Sequence, residues 1–352
     1  MKRVAIIAAL ICFVGVPSVH AGTISGLAGF SESWNGQVLQ WKKGSYTDQN
    51  VAGTGSASIP FGLTLPAGYE AGGTQKYPLV LYLHGAGARG NNNNANLTRQ
   101  TPRFFAHQAL TTPQYNAFVL STQVTSDKRY VDVDWNYGPY DQGAVTITEP
   151  MHLTEGLLKY LIDSGNNAVL AAVLGIRADT IDTTRIYVVG DSMGAYGTWD
   201  TVGRNPGLYA AAIAAAGSGP KNRLQELQKT PFWAIHGQTD TAVPNSLPND
   251  SDPDGAGSLG MLALIDPGFD NGLSTDLIKL DNYASSDDDP VAWNRFIYSQ
   301  YPGEYSHATV ATEWTTRTSG ISKWLFSQRL PEPSTLVLLI AGAAMLSSRP
   351  LR

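Results

Sequence analysis

Residues 186–194 read IYVVGDSMG, and this short stretch decides the fold. Four apolar residues, typical of a buried strand, run directly into a G-x-S-x-G motif, and residues 195–204 continue with a helical pattern. A serine at such a strand-to-helix turn is strained and exposed, and the flanking glycines let neighbouring backbone approach closely. The pattern predicts Ser192 as a nucleophile and the N–H of Met193, at the positive end of the helix, as an oxyanion donor.

Apolar runs of strand length recur on both sides of this motif. They span residues 78–83, 117–124, 185–190, 210–216, 232–237 and 295–301, with helical patterns over 151–163, 195–204 and 321–330. Strands that alternate with helices predict an α/β fold, with a mostly parallel central sheet and helices on both faces. Residues 22–75 contain short alternating segments, which predict antiparallel strands that lead into this sheet.

A serine hydroxyl needs a base to accept its proton, and the base needs an acid to orient it. In folds with this motif the chain order is serine, acid, histidine. The chain has six histidines. Only His307 follows the motif with a candidate acid before it, and it comes shortly after the strand predicted at 295–301. The order therefore predicts His307 as the base.

Asp240 is the predicted acid because it follows the strand at 232–237 by a tight turn, at the edge of the sheet where Ser192 is expected. Glu304 lies on the loop of His307 itself and is an alternative. Further carboxylates, typical of a solvated surface, lie in a polar stretch over residues 244–290: Asp250, Asp252, Asp254, Asp287, Asp288 and Asp289. A connection this long within a compact domain is typical of a lid or an excursion.

Residues 84–87 read His-Gly-Ala-Gly and end the strand predicted at 78–83. A loop of small residues at this position supplies the second oxyanion donor in such enzymes, which predicts the N–H of Ala86 in that role. His84 is interpreted as a brace for the loop, and a glycine-rich hairpin is the alternative. A surface on which a sugar or phenolic ring could stack is predicted at Trp135 and Tyr137, with Tyr140. Aromatic residues in such a loop equally often serve only in packing.

Residues 250–255 begin like a calcium-binding loop, with aspartates at alternate positions before a glycine. Position twelve of such a loop needs a bidentate glutamate, but Met261 occupies it, and a proline at position four fits poorly. We therefore expect a solvated acidic turn with calcium as the alternative, and we predict neither a metal nor a cofactor.

Residues 77–90, 185–200 and 231–240 resemble the secreted bacterial esterases of the α/β-hydrolase superfamily. The group is described as predicted peptidases or phospholipase/carboxylesterases and is related to feruloyl esterases and polyhydroxybutyrate depolymerases. The resemblance covers about residues 55–330. It implies an α/β-hydrolase fold and a serine carboxylesterase that cleaves acetyl, feruloyl or short-chain acyl esters, including esters linked to polysaccharide or polyester. A polyester depolymerase, a serine peptidase and a non-catalytic matrix-associated protein are the alternatives.

The two ends of the chain are typical of export and sorting signals. Residues 1–21 combine a basic start, an apolar stretch and small residues before Gly22, which predicts a Sec signal peptide removed by signal peptidase. Residues 331–352 resemble the PEP-CTERM sorting signal, which implies processing by an exosortase and a transient helix in the inner membrane. We expect export to the cell surface or extracellular polysaccharide matrix of a Gram-negative-type bacterium.

Between these signals we predict a strand extension over 22–54 and one catalytic domain over 55–330. The chain has 24 Lys and Arg against 29 Asp and Glu; without the terminal segments, which hold four of the basic residues and one acidic residue, 20 and 28 are left, a net charge of −8. A nucleic-acid-binding protein would be expected to show a basic patch, so that class is not predicted. The single cysteine, Cys12, lies in the predicted signal peptide, so stability must come from packing rather than disulfides.

Overall fold

The computed structural model describes residues 22–51, 55–134, 138–143, 145–265, 277–280, 296–318 and 320–331. The predicted signal peptide, all but the first residue of the predicted sorting segment, and the two aromatic residues Trp135 and Tyr137 lie outside these residues. None of the described helices is both long and apolar enough to cross a membrane.

The described residues form one ten-stranded sheet. Its strands are β1 (Gly22–Trp34), β2 (Gln37–Val51), β3 (Gly55–Thr64), β4 (Tyr77–Leu83), β5 (Phe118–Thr122), β6 (Ile181–Asp191), β7 (Ala211–Ala215), β8 (Phe232–Gly237), β9 (Leu277–Leu280) and β10 (Phe296–Tyr301). Their order is β1-β2-β3-β5-β4-β6-β7-β8-β10-β9. In this spatial order, the three pairs β1–β2, β2–β3 and β3–β5 are antiparallel. All further pairs, from β5–β4 to β10–β9, are parallel. The predicted mostly parallel sheet is confirmed, and the N-terminal strands extend the same sheet.

Eight α-helices lie among the described residues. They are α1 (Gln100–Thr111), α2 (Glu149–Ile162), α3 (Asn167–Leu174), α4 (Met193–Arg204), α5 (Leu224–Leu227), α6 (Gly257–Ile265), α7 (His307–Arg317) and α8 (Ile321–Ser327). Helical periodicity missed α3 because nearly every residue in it is apolar, so the helix has no polar face to show a period. It also missed the whole of α7, which begins where Ser306 accepts a hydrogen bond from the N–H of Thr309 and caps the helix.

The helices form a layer on each face of the sheet. Successive side chains of β4 alternate between the faces: Leu79 and Leu81 belong to the core shared with α2 and α4, and Val80 and Tyr82 to the core shared with α1, α7 and α8. All four side chains are buried, and burying an apolar side chain of this size contributes about 1.5–3 kcal/mol. A strand buried on both faces explains the unbroken apolar run in the sequence.

The described parts of the polar stretch over 244–290 belong to the fold. Helix α6 contacts α5 and β8, and the N–H of Ser258 donates to Nδ1 of the buried His236 at 3.3 Å. Residues 277–280 form β9, which pairs with β10 at the edge of the sheet. The stretch therefore contributes a helix and a strand to the domain, and a lid function stays a prediction.

Candidate active site

The turn between β6 and α4 holds Ser192 in a backbone conformation that few residues adopt. Ser192 has φ 52° and ψ −118°, and its N–H donates to the carbonyl of Ala215 at 2.8 Å. A Cβ on Gly194 would lie 1.8 Å from the Leu83 oxygen, and one on Gly190 would lie 2.3 Å from the Gly194 oxygen. Both glycines are therefore required by close backbone packing, and the strain at Ser192 is maintained by its neighbours.

Three side chains that are far apart in sequence meet at the carboxyl ends of β6, β8 and β10. His307 Nε2 lies 2.9 Å from Ser192 Oγ, and His307 Nδ1 lies 2.6 Å from Asp240 Oδ2. The side chain of Asp240 is fully buried, whereas that of His307 is 20% exposed. The structure thus brings together all three predicted triad residues in a hydrogen-bonded chain.

Asp240 is surrounded by hydrogen-bond donors. Its Oδ1 accepts the N–H groups of Ala242 at 2.9 Å and Val243 at 2.8 Å, while Oδ2 faces His307. Burial by itself would raise the pKa of Asp240, but hydrogen bonds from His236, His307 and Val243 hold that pKa below its ordinary value. An ionised Asp240 accepts a hydrogen bond from His307 Nδ1–H, which leaves Nε2 free to accept the Ser192 proton.

His236 is a residue at this site that the sequence argument did not place there. It ends β8 and is fully buried, and its Nε2 lies 3.4 Å from Asp240 Oδ2. Because Ser258 N–H donates to Nδ1, the ring proton sits on Nε2, where it faces the Val243 carbonyl at 3.1 Å and Asp240. His236 therefore helps to position the carboxylate. The chain order excluded it as the base but did not indicate this contact.

The two predicted oxyanion donors are both close to Ser192. Met193 follows it directly in the chain, and Ala86 lines the same cavity as Ser192. Among the described residues, neither the N–H of Ala86 nor that of Met193 has an acceptor. His84 braces the loop before Ala86: its Nε2 accepts the Val124 N–H at 3.0 Å, so Nδ1–H donates to the Gly85 carbonyl at 2.8 Å. Burial lowers the pKa of His84 to about 4, which keeps the ring neutral.

No family model matches the sequence, and no curated protein matches it. Among solved structures, the chain is similar to a thermostable esterase, with 23% identity and a TM-score of 0.53 over 81% of this chain and 62% of that one. It is also similar to a feruloyl esterase module from Clostridium thermocellum in complex with sinapinate (14% identity, TM-score 0.42, covering 89% and 90%). A third similar structure is an S-formylglutathione hydrolase from Agrobacterium tumefaciens (12% identity, TM-score 0.41, covering 86% and 99%).

The chain has the α/β-hydrolase fold. The predicted fold class is thereby confirmed. The chain spans only about 62% of the thermostable esterase's length, and at these identities the likeness concerns the fold. The arrangement of Ser192, His307 and Asp240 described above comes from the chain's own residues.

A cavity of about 340 Å³ lies beside Ser192. The loop after β4 lines it with Ala86 and Gly87, here called the oxyanion loop after its predicted role, and the start of α1 with Arg99 and Gln100. Helix α7 lines it with His307, Ala308, Ala311 and Thr312. A larger hollow, of about 480 Å³, lies between β1, β2 and α1 and contains none of the triad residues. Of these two, only the smaller cavity contains Ser192 and His307, so it is the candidate substrate cavity.

Two further predictions concerned binding residues. Tyr140 packs against the core, and its hydroxyl donates a hydrogen bond to Asp200 Oδ1 at 3.0 Å. The predicted substrate-binding role of Trp135 and Tyr137 lies outside the described residues. Among the described residues no group of three or more His, Cys, Asp or Glu could hold a metal ion, and Asp254 of the calcium-like turn forms an ion pair with Lys221.

Asp191, the residue before the nucleophile, is a buried carboxyl group that the sequence did not mark. Its Oδ1 accepts a hydrogen bond from the Tyr82 hydroxyl at 2.7 Å, and both residues line the cavity. Burial raises the pKa of Asp191 to about 7, against opposing effects from Tyr82 and the nearby Arg99. This carboxyl group therefore changes charge close to neutral pH.

Replacing Asp191 by asparagine is expected to change how stability depends on pH. The folded-state pKa lies above the ordinary carboxyl value, so the native state binds the extra proton and loses stability as pH rises from about 4 to 7. The difference in unfolding temperature between Asp191→Asn and the wild type should therefore be a few degrees more favourable to the variant at pH 8 than at pH 5. Thermal unfolding at both pH values tests this. An equal difference at both would show that Asp191 does not titrate in this range.

Proposed function

We propose that this α/β-hydrolase is a secreted serine carboxylesterase that cleaves acetyl, feruloyl or short-chain acyl esters. The observation that carries the proposal is the hydrogen-bonded chain from Ser192 through His307 to Asp240, at 2.9 and 2.6 Å, beside an open cavity. Such an arrangement activates a hydroxyl as a nucleophile. The proposed secretion is supported by the two terminal sequence patterns.

In the proposed reaction, Ser192 Oγ attacks the ester carbonyl carbon while its proton moves to His307 Nε2. The electron pair of the carbonyl bond moves to its oxygen, where the N–H groups of Ala86 and Met193 stabilise the negative charge. Collapse of this intermediate breaks the bond to the alcohol, which takes the proton from His307 and leaves an acyl group on Ser192. Water then attacks the acyl group, giving its proton to His307, and the acid departs as the proton returns to Ser192.

Labelling with a neutral fluorophosphonate tests this proposal independently of the substrate. The folded wild-type protein should react at Ser192, as judged by mass spectrometry of the peptide that contains it, and heat-unfolded protein and Ser192→Ala should not. Equal labelling of Ser192→Ala, or no labelling of the folded wild type, would contradict a serine hydrolase. A panel of acetyl, feruloyl and hydroxybutyryl esters, with a polyester film and a peptide amide, then identifies the bond that is cleaved.

A further inference from the structure

Arg99 extends into the catalytic cavity from the residue that precedes α1. The residue is partly buried, and its guanidinium lies against the oxyanion loop: a Cβ on Gly87 would be 2.9 Å from Arg99 Nη2. The same cavity contains Ser192 and His307. A positive charge thus lies within the space that an ester bound at Ser192 would occupy.

No described residue forms an ion pair or a side-chain hydrogen bond with the Arg99 guanidinium. Three other partly buried arginines of the described chain pair with carboxylates: Arg103 with Glu32, Arg185 with Asp182, and Arg204 with Asp200. Taking a charge partly out of water without a partner is unfavourable. This contrast points to a partner that comes from outside the chain.

The carboxyl group that shares the cavity with Arg99 forms no ion pair with it. Asp191 lines the same cavity, but its Oδ1 accepts from Tyr82, and it forms no ion pair with Arg99 in the described structure. The start of α1 adds to the positive potential, because its first turn contains no acidic residue and no side chain caps it. The side of the cavity formed by residues 99–101 is therefore suited to an anion.

We propose that Arg99 binds a carboxylate group carried by the substrate, so that the enzyme prefers esters with a carboxylate near the scissile bond over neutral esters. This inference rests on the proposed esterase function. A guanidinium presents two parallel N–H groups that match the two oxygens of a carboxylate. A more highly charged anion fits this cavity less well, because only one guanidinium of the described chain lies there and the carboxyl of Asp191 is beside it. The chain also has a net charge of −8 between its predicted terminal signals.

Two pairs of esters distinguish a carboxylate on the acid side from one on the alcohol side. The first pair is p-nitrophenyl hydrogen glutarate and its methyl ester; the second is p-carboxyphenyl acetate and its methyl ester. The two esters of the first pair share one leaving group, so their kcat/KM values are compared directly after the spontaneous rate is subtracted. In the second pair each kcat/KM is divided by the uncatalysed hydrolysis rate of the same ester, which corrects for leaving-group reactivity. In at least one pair, the wild type should prefer the carboxylate by about tenfold or more, as expected for a charge-assisted hydrogen bond.

Arg99→Gln should remove this preference, and Arg99→Lys should keep part of it because the charge stays while the planar fork is lost. The preference is a ratio measured on one sample, so a loss of folded protein does not affect it. The matched control is Arg103→Gln, which removes a positive charge one turn further along α1, outside the cavity, and should keep both the activity and the preference.

Two outcomes overturn the inference while the proposed function stands: wild-type hydrolysis of both pairs with ratios near one, or a preference that survives in Arg99→Gln. If the wild type hydrolyses none of the four esters and the fluorophosphonate does not label Ser192, the proposed function fails, and the inference fails with it.

Discussion

Replacing Ser192 by alanine will lower kcat/KM for p-nitrophenyl acetate by about 10⁴-fold or more. The variant loses the nucleophile but keeps the cavity and both oxyanion donors, so the residual rate reflects binding and electrostatic stabilisation alone. His307 has no proton to accept once Oγ is absent. We therefore expect the double variant Ser192→Ala/His307→Ala to be no slower than Ser192→Ala.

Steady-state hydrolysis by Ser192→Ala, His307→Ala, the double variant and the wild type measures both effects. Ser33→Ala is a control, because Ser33 is exposed on β1 and lies outside the catalytic cavity. A Ser192→Ala variant within tenfold of the wild type would exclude Ser192 as the nucleophile. Independent losses from the two substitutions would show that Ser192 and His307 do not act as one unit.

Replacing Asp240 by asparagine will lower kcat by about 10⁴-fold while the protein stays folded. Asp240 Oδ1 accepts two backbone N–H groups, from Ala242 and Val243. A carboxamide at this position must keep its oxygen on those donors and so turn its NH₂ group toward His307. Nδ1 then accepts a hydrogen bond, the ring proton moves to Nε2, and the base can no longer take the proton of Ser192.

Ester hydrolysis and the fluorophosphonate labelling rate should fall together in Asp240→Asn, since both depend on the nucleophilicity of Ser192. Thermal unfolding checks that the variant is folded. Asp252→Asn is the matched control, because Asp252 lies in the turn over residues 249–252, away from the catalytic cavity. Full activity in Asp240→Asn would assign the orienting role to a different acid.

Local constraints explain why much of the site could be predicted. The strand, the strained turn and the helix around Ser192 lie within one short stretch. The residue types at 190, 192 and 194 are therefore enough to predict the close backbone packing of this turn. His307 and Asp240 followed from chain order and from positions just after β10 and β8. Parallel strands bring such positions to one edge of the sheet, which made long-range contacts predictable without coordinates.

Other features carried no local signal. His236 appeared to be only the end of an apolar strand, yet it contacts Asp240. Arg99 lies in a polar stretch whose sequence does not indicate that it turns back toward the oxyanion loop. Helix α1, which supports it, was missed, and the polar stretch over 244–290 was expected to be an excursion rather than the site of α6 and β9.

The sequence by itself determined the fold class and the candidate nucleophile, base and acid. Strand patterns and the two glycines depend on neighbouring residues, and the order of Ser192, Asp240 and His307 can be read along the chain. Only the tertiary structure decided which groups surround them: the second histidine on Asp240, the protonation of buried Asp191 and the unpaired arginine in the cavity. Burial and hydrogen-bond partners depend on contacts between residues far apart in the chain, and these contacts set the charge of the site.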